Sequence, residues 1–382
     1  HGLAYRAVEH WTDAADLSKQ LAEADFILRT PGLPYLSAPI QEALQRGATV
    51  SSQTKLFFAL CPCPIIGITG TKGKGTTSSL IAAILRGAGR AVNLGGNIGR
   101  DPFEFLDELT PEHLVVLELS SFQLQDLTQS PHLAVVLGIT PDHLDYHRDM
   151  AEYIAAKSAI IKFQTSADFA VLSRELSADF AGLGQGQKIW IDPGVSRAFP
   201  TRLIGAHNQE NLAAAIQTAR LLDVDEASLR ASIAEFSPLP HRLEPIGQAR
   251  GINFIDDSYG TNIESTLAAL EAVDTGVVLI VGGFDKGFGW EALGAKVKNN
   301  PRVRGLVVIG QVADKIQAAV RGFTGPIRTG AKTMTEIVAQ ALDLAQAGET
   351  ILLSPGTSSF DMFQSATDRA EQFLAAVNAL RP

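Results

Sequence analysis

The sequence is poor in cysteine and in positive charge. Its 2 cysteines, Cys61 and Cys63, are too few for a disulfide framework and too few alone for a zinc site. We interpret them as reduced thiols. Lys and Arg together number 32 against 41 Asp and Glu, which gives a formal charge of −9. This balance argues against nucleic acid as a partner, but it leaves room for a local pocket that binds a small anion.

Long apolar runs are also missing from the sequence. No run reaches the roughly 18 residues that a membrane-spanning helix needs. No secretory signal opens the chain, which begins at His1 rather than Met. Hydrophobic residues make up 46% of the sequence, which is enough to exclude disorder as the main state. We therefore predict a folded cytoplasmic protein that does not associate with membranes.

Short apolar strands alternate with amphipathic helices, which predicts an α/β fold with mostly parallel sheets. The length predicts two or three domains, and we place them at 1–62, 63–237 and 238–382. Residues 55–64, which include Pro62 and Pro64, are predicted to form a linker. Strands are predicted over 24–29, 65–69, 114–119, 134–139, 252–255, 276–281, 304–309 and 350–353, and near 169 and 188. Helices are predicted from the loop after residue 69 to 85, and over 37–46, 150–162, 208–222, 227–235, 262–272, 312–320, 334–347 and 362–380.

The most specific local signal is IIGITGTKGKGTT at residues 65–77. A buried strand runs into a glycine loop and then a helix, whose first backbone amides are suited to hold phosphates. Lys74 would reach the outer phosphates, and Thr76 or Thr77 could offer a hydroxyl to Mg²⁺. The strict P-loop pattern, G-x-x-x-x-G-K-S/T, is not met. Ile68 occupies the position of the first glycine, and Gly75 occupies the position of the Ser or Thr. A tight turn without a ligand is the alternative.

Two further residues fit a metal that accompanies phosphates. Glu118 ends a predicted strand, and His143 follows another, both in the part of the chain that holds the glycine loop. Open α/β sheets expose ligand-binding groups at these carboxyl ends, and Mg²⁺ takes carboxylates and water. A capping acid and a surface histidine are the alternatives.

Nine strings in order resemble the Mur ligases. They are GTKGKGTT at 70–77, GGNIG at 95–99, LELSSFQL at 117–124, TPDHLD at 140–145, AAK at 155–157, GAHNQEN at 205–211, LPHR at 239–242, DDSYGTN at 256–262 and LLSPGTSSFD at 352–361. The resemblance spans the chain from about residue 24 to its end. LELSSFQL and LLSPGTSSFD are most similar to the members of the family that add D-glutamate.

The resemblance implies a three-domain enzyme. An N-terminal domain binds a UDP-sugar, a P-loop central domain binds ATP, and a Rossmann-like C-terminal domain binds the amino acid. It implies a monomer that joins D-glutamate to UDP-N-acetylmuramoyl-L-alanine in peptidoglycan precursor synthesis. ATP first phosphorylates the substrate's carboxylate, and the amine of glutamate then displaces phosphate. The family's N-terminal domain opens with a glycine-rich strand, turn and helix. None precedes residue 24, so we expect at least one βαβ unit, roughly 30 residues, to be missing.

The resemblance also assigns residues to ligands, position by position. Lys74, Glu118, His143 and Lys157 match the catalytic set. Thr76, Glu118, His143 and Lys157 match ligands of two Mg²⁺ ions, with Lys157 carbamylated to an anion in the family. The matches to ATP contacts are Gly70, Thr71, Lys72, Gly73, Lys74, Gly75, Thr76, Thr77, Asn208, Asn211, Arg242 and Asp257. The matches to UDP-sugar contacts are Thr30, Gly32, Asn97, Ser120 and Gln123, and those to glutamate contacts are Thr261, Lys286, Ser359 and Phe360.

Three departures keep other functions open. Gly75 replaces the usual Ser/Thr, as it does in the related folylpolyglutamate synthases. Tyr259 stands where the D-glutamate ligases usually have lysine, and Ala366 where an aromatic residue often lines the glutamate pocket. L-glutamate or another acidic amino acid therefore stays open. A folylpolyglutamate synthase-like ligase and a degenerate ATP-binding partner subunit are the alternative functions.

Overall fold

The computed structural model describes residues 6–381, which divide into two compact units. The first unit extends to residue 200 and resumes over 210–236. The second comprises 201–209 and everything described after 236. Among the described residues, no helix is both long and apolar enough to cross a membrane.

The first unit opens with a small layer of helices on a two-stranded parallel sheet. Phe26 pairs with Thr49 in this sheet. Buried apolar side chains, such as Leu17 and Ile40, pack the helices against it. Its elements are α1 (Ala14–Leu21), β1 (Phe26–Arg29), α2 (Ala38–Gln45), β2 (Thr49–Ser52) and α3 (Gln53–Leu60).

Helix α3 corrects the prediction of a linker over residues 55–64. The side chain of Ser52 accepts a hydrogen bond from the amide of Lys55 and so caps the helix. Phe57 is fully buried and packs edge-on against Phe105, with ring centroids 5.9 Å apart. The two prolines lie beyond the end of the helix at Leu60, so they follow it and do not interrupt it.

A six-stranded parallel sheet forms the rest of the first unit, in the order β4-β5-β3-β6-β7-β8. Its central strand β3 is buried at every position, as a strand covered on both faces must be. The elements are β3 (Ile65–Thr69), α4 (Lys74–Gly87), β4 (Val92–Gly96), α5 (Pro102–Phe105), β5 (Leu114–Glu118), α6 (Ser121–Leu124), β6 (Leu133–Val136), α7 (Met150–Lys162), β7 (Phe169–Leu172), α8 (Ser177–Phe180), β8 (Gln187–Trp190), α9 (Ala206–Leu221) and α10 (Glu226–Glu235).

The second unit holds a mixed six-stranded sheet, ordered β13-β12-β11-β14-β10-β9. Five strands are parallel and β9 pairs antiparallel with β10 at one edge. Apolar clusters line both faces. The elements are β9 (Glu244–Ala249), β10 (Ile252–Asp256), α11 (Ile263–Ala272), β11 (Val277–Gly282), α12 (Glu291–Asn299), β12 (Val303–Ile309), α13 (Ala313–Ala319), β13 (Ile327–Arg328), α14 (Met334–Leu342), β14 (Thr350–Leu353) and α15 (Ala366–Asn378). The predicted α/β class is confirmed.

Candidate active site

The loop between β3 and α4 has a shape that only glycine permits at two positions. Gly70 has φ 147°, and a Cβ there would lie 2.8 Å from the Cβ of Leu137. Gly73 has φ 83° and is the N-cap of α4. A Cβ on Gly73 would collide with the side chain of Asn211. The first amides of α4 have no acceptor within the helix, so the loop and helix start form a concave set of donors suited to phosphate.

Two lysines meet at the start of this loop. The Nζ of Lys74 donates to the carbonyl oxygens of Gly70 and Thr71, at 3.2 and 3.0 Å. The Nζ of Lys157 donates to the same Gly70 carbonyl at 2.9 Å. Burial lowers the pKa of Lys157 to about 7, and the charge of Lys74 acts in the same direction. The carboxylates of Asp142 and Glu118 act against this shift. The structure therefore brings Lys74, Lys157 and Glu118 together.

Thr71 connects the glycine loop to the segment after β6 and to helix α7. Its hydroxyl donates to the carbonyl of Thr140 at 3.0 Å and accepts the amide of the same residue at 2.9 Å. The hydroxyl of Tyr153 lies 3.2 Å from it, and the ammonium of Lys157 lies 4.7 Å from the centre of the Tyr153 ring. Tyr153 was not predicted from the sequence, although it precedes the AAK string by two positions.

The remaining predicted metal ligands lie at the same edge of the sheet. Glu118 is buried at the end of β5, in register with Ile68 of β3. His143 is exposed, with φ 53°, and its ring lies 4.8 Å from that of Phe122. Thr76 is partly buried, whereas the hydroxyl of Thr77 is fully buried and has no hydrogen-bond partner among the described residues. The carboxylate of Glu118 and the hydroxyl of Thr76 are oxygen donors of the kind that Mg²⁺ takes, and the imidazole of His143 adds a nitrogen donor. An ammonium at Lys157 does not fit Mg²⁺.

Three of the predicted ATP residues belong to the second unit, which includes the first turn of α9. Asn208 is buried and donates to the carbonyl of Ile204 at 2.7 Å. Arg242 is exposed, and its guanidinium carbon lies 5.6 Å from the centre of the Tyr259 ring. Asp257 is buried, and burial raises its pKa to about 7, against the hydrogen bonds that it accepts.

The residues predicted to contact the UDP-sugar are divided between exposed loops and a helix cap. Thr30, Gly32 and Asn97 are exposed. Ser120 and Gln123 form a capping box at the start of α6, in which each side chain accepts the backbone amide of the other. A structural role therefore accounts for the contacts that these two side chains make within the chain.

The residues predicted to contact glutamate lie on three loops of the second unit. Lys286 donates to the carbonyl of Thr261 at 3.4 Å. Burial lowers the pKa of Lys286, and the charge of Arg369 adds to this effect. The hydroxyl of Ser359 is buried without a partner among the described residues, and Phe360 is 69% exposed. The hydroxyl of Tyr259 lies 2.9 Å from that of Thr367, so it already has a hydrogen-bond partner within the chain.

A histidine and two carboxylates in the second unit also lie close enough to resemble a metal site. They are His241, Glu244 and Asp256. The Nδ1 of His241 lies 2.8 Å from Asp256, and its backbone amide donates to Glu244 at 2.7 Å. These hydrogen bonds account for the close approach of the three side chains.

Comparison with known proteins identifies the class. The Mur ligase middle domain model matches residues 68–181, and the model of the Mur ligase glutamate ligase domain matches residues 241–356. The MurF ligase from Thermotoga maritima in complex with ADP has a TM-score of 0.62 and 16% identity, covering 96% of this chain and 98% of its own. UDP-N-acetylmuramate–alanine ligase from the same organism also has a TM-score of 0.62 and 16% identity, over 93% of this chain and 85% of its own. These two structures show the fold.

The relatives identify the branch of the family. The UDP-N-acetylmuramoylalanine–D-glutamate ligase of Symbiobacterium thermophilum is 39% identical over 94% of this chain and 85% of its own length. The ligase of the same name from Acetivibrio thermocellus is 34% identical over 93% of this chain and 83% of its own. The chain therefore belongs to the Mur ligase family, and within it to the UDP-N-acetylmuramoylalanine–D-glutamate ligases.

Proposed function

We propose that this chain is an ATP-dependent ligase that joins D-glutamate to UDP-N-acetylmuramoyl-L-alanine in peptidoglycan precursor synthesis. The observation that carries the proposal is the meeting of Lys74 and Lys157 at the Gly70 carbonyl, beside Glu118, on a glycine loop that opens a helix. The family membership and the names of the relatives support the reaction and both substrates.

The reaction needs activation of a carboxylate, because a carboxylate is a poor electrophile. An oxygen of the alanyl carboxylate attacks the γ-phosphorus of ATP, and ADP leaves. The amine of glutamate then attacks the carbonyl carbon of the acyl phosphate. Phosphate leaves and the amine loses a proton, so that an amide is formed. Positioning and charge neutralisation supply most of the catalysis in such transfers, and Lys74 would neutralise charge on the phosphates.

Two Mg²⁺ ions fit the donor set around the loop. Thr76, Glu118 and His143 would hold them, and the ions would neutralise the charge of the transferred phosphate. Lys157 fits only if its charge changes sign, because an ammonium repels a cation. We therefore infer that its amine adds CO₂ and loses a proton to become a carbamate. The Nζ of Lys157 lies 2.9 Å from the carbonyl oxygen of Gly70, which supports a role for that anion beside the loop.

The same proposal assigns the remaining predicted contacts. The ATP contacts would be Gly70, Thr71, Lys72, Gly73, Gly75, Thr77, Asn208, Asn211, Arg242 and Asp257. The UDP-sugar contacts would be Thr30, Gly32, Asn97, Ser120 and Gln123. Those to glutamate would be Thr261, Lys286, Ser359 and Phe360.

Phosphate release tests the function directly. The chain is incubated with ATP, Mg²⁺ and either UDP-N-acetylmuramoyl-L-alanine or a folate acceptor, and with D- or L-glutamate. We expect release only with the UDP-sugar and D-glutamate together. Release that depends on the folate acceptor would favour a folylpolyglutamate synthase-like ligase. ATP binding without release under any condition would favour a degenerate partner subunit.

A further inference from the structure

Arg29 is a charged side chain that joins two loops of the first unit. It ends β1 and is 2% exposed. One terminal guanidinium nitrogen donates to the carbonyls of Thr30, Pro31 and Leu33, most closely to Leu33 at 2.7 Å. The other donates to the carbonyl of Phe122 in α6 at 3.0 Å and to Asp126 at 2.7 Å. One side chain thus bonds to two of the three segments that contain predicted UDP-sugar contacts, and among the described residues it makes no bond to the third, around Asn97.

The ion pair between Arg29 and Asp126 is not optimised for stability. Both side chains are fully buried, and the Nε of Arg29 and the Oδ2 of Asp126 lack partners among the described residues. A buried pair of this kind is often no more stable than a packed apolar pair, because the cost of removing two charges from water offsets their attraction. We therefore consider how Arg29 fixes the positions of the loop over 30–33 and of α6, and not how much the ion pair stabilises the fold.

Neighbouring contacts hold the same two segments together. The hydroxyl of Tyr146 donates to the carbonyl of Pro31 at 2.9 Å. Its ring packs on that of Phe122, with centroids 4.0 Å apart. The side chain of Gln125 accepts the amide of Tyr35 at 3.0 Å. The Phe122 ring also contacts that of His143, so this set of contacts reaches the loop that carries a predicted metal ligand.

We propose that Arg29 is a positioning residue for the UDP-sugar substrate. It fixes the loop over residues 30–33 against the start of α6, so that Thr30 and Gly32 on one side and Ser120 and Gln123 on the other face one ligand. The inference rests on the proposed function, since it concerns the substrate of that same site. It predicts that loss of Arg29 weakens binding of the UDP-sugar and leaves ATP binding unchanged.

Steady-state kinetics of phosphate release test this positioning role. Arg29→Met should raise the KM for UDP-N-acetylmuramoyl-L-alanine about tenfold, because a loosened loop must be ordered again on binding. The KM for ATP should stay within about twofold and kcat within about threefold of the parent. Arg29→Lys should give an intermediate KM, because an ammonium lacks the planar fork of the guanidinium. Arg46→Met is the control, since Arg46 is exposed and donates to a carbonyl of α1.

A double variant separates positioning from stability. Arg29→Met leaves the buried Asp126 without its cationic partner and with only the Ser52 hydroxyl as a side-chain donor, so the melting temperature should fall. Arg29→Met with Asp126→Leu removes both charges and should recover the melting temperature, but the raised KM should persist. If the double variant recovers the KM as well, or if no variant changes it, Arg29 is merely structural. If the parent chain does not release phosphate with this substrate, the proposed function fails first, and the positioning role fails with it.

Discussion

The glycine loop over residues 70–73 and the loops over 256–262 and 354–361 obtain their shapes in different ways. We call the first the phosphate loop and the other two the amino-acid loops, after the ligands proposed for them. In the phosphate loop, Gly70 and Gly73 adopt backbone angles closed to other residues, and Lys74 bonds to carbonyls of the loop itself. In the second unit, the loops over 256–262 and 354–361 are joined by Arg369 of α15. Its guanidinium donates to the carbonyl of Ser258 at 2.7 Å and to that of Thr357 at 3.4 Å.

The phosphate loop owes its shape mainly to its glycine backbone, whereas the amino-acid loops are held by a side chain from another element. The phosphate loop also receives hydrogen bonds from Lys157 and Thr140. Its two special glycines and Lys74 lie within one short segment, however, so the loop is visible in the sequence as a motif. The amino-acid loops depend on Arg369, which is fully buried and lies outside either motif. Burial lowers the pKa of Arg369 to about 10, against the nearby carboxylates of Asp256, Asp361 and Asp257. A change in the phosphate loop should therefore lower activity with every substrate, whereas loss of Arg369 should affect D-glutamate more than ATP.

The largest effect should come from the phosphate loop. Lys74→Ala should lower kcat by about three powers of ten, because a fixed positive charge at the transferred phosphate is lost. Phosphate release under saturating substrates measures this loss. Lys162→Ala, an exposed lysine on α7, is the matched control and should match the parent. Activity of the Lys74 variant within tenfold of the parent would contradict the phosphate-binding interpretation.

Lys157 should show a loss of about two powers of ten that an added anion restores in part. Lys157→Ala removes the inferred carbamate, and a short carboxylic acid can occupy the space that the shortened side chain leaves. Depleting CO₂ should lower the activity of the parent, and bicarbonate should restore it. Lys162→Ala again serves as the control. If formate or acetate gives no rescue and CO₂ depletion has no effect, Lys157 acts as an unmodified amine.

Arg369 sharpens the comparison because its loss should affect one substrate more than the other. Arg369→Met releases the two amino-acid loops, which carry the predicted glutamate contacts Thr261, Ser359 and Phe360 and one proposed ATP contact, Asp257. The KM for D-glutamate should therefore rise about tenfold and the KM for ATP about threefold. Arg381→Met, an exposed arginine of the same unit, is the control. An equal rise in both KM values would mean that Arg369 supports the unit as a whole and does not set the two loops specifically.

Features defined by a local run of residues were predicted from the sequence, and features that depend on distant contacts were not. Helix α7 and strand β3 have the predicted bounds. The side chain of Asp149 accepts the amide of Glu152 and so caps the start of α7, and β3 is a continuous buried, mostly apolar run. Strand β9 was missed, because it is a polar edge strand that contains Pro245. Arg29 and Arg369 were missed because arginine is expected at the surface. Arg369 did carry a signal, since it lies on the buried face of α15 one turn before Phe373.

The smallest effect should come from Tyr259. Tyr259 stands where the related ligases usually have lysine. Its ring lies beside Arg242, and its hydroxyl is 2.9 Å from that of Thr367. Tyr259→Leu removes a cation–π contact worth about 0.5–1 kcal/mol at an exposed site. On the proposed ATP role of Arg242, the KM for ATP should therefore rise roughly threefold. Tyr259→Phe keeps the ring and should match the parent. A raised KM for D-glutamate in both variants, with that for ATP unchanged, would instead assign the Tyr259 hydroxyl to the amino-acid pocket and make the two regions alike.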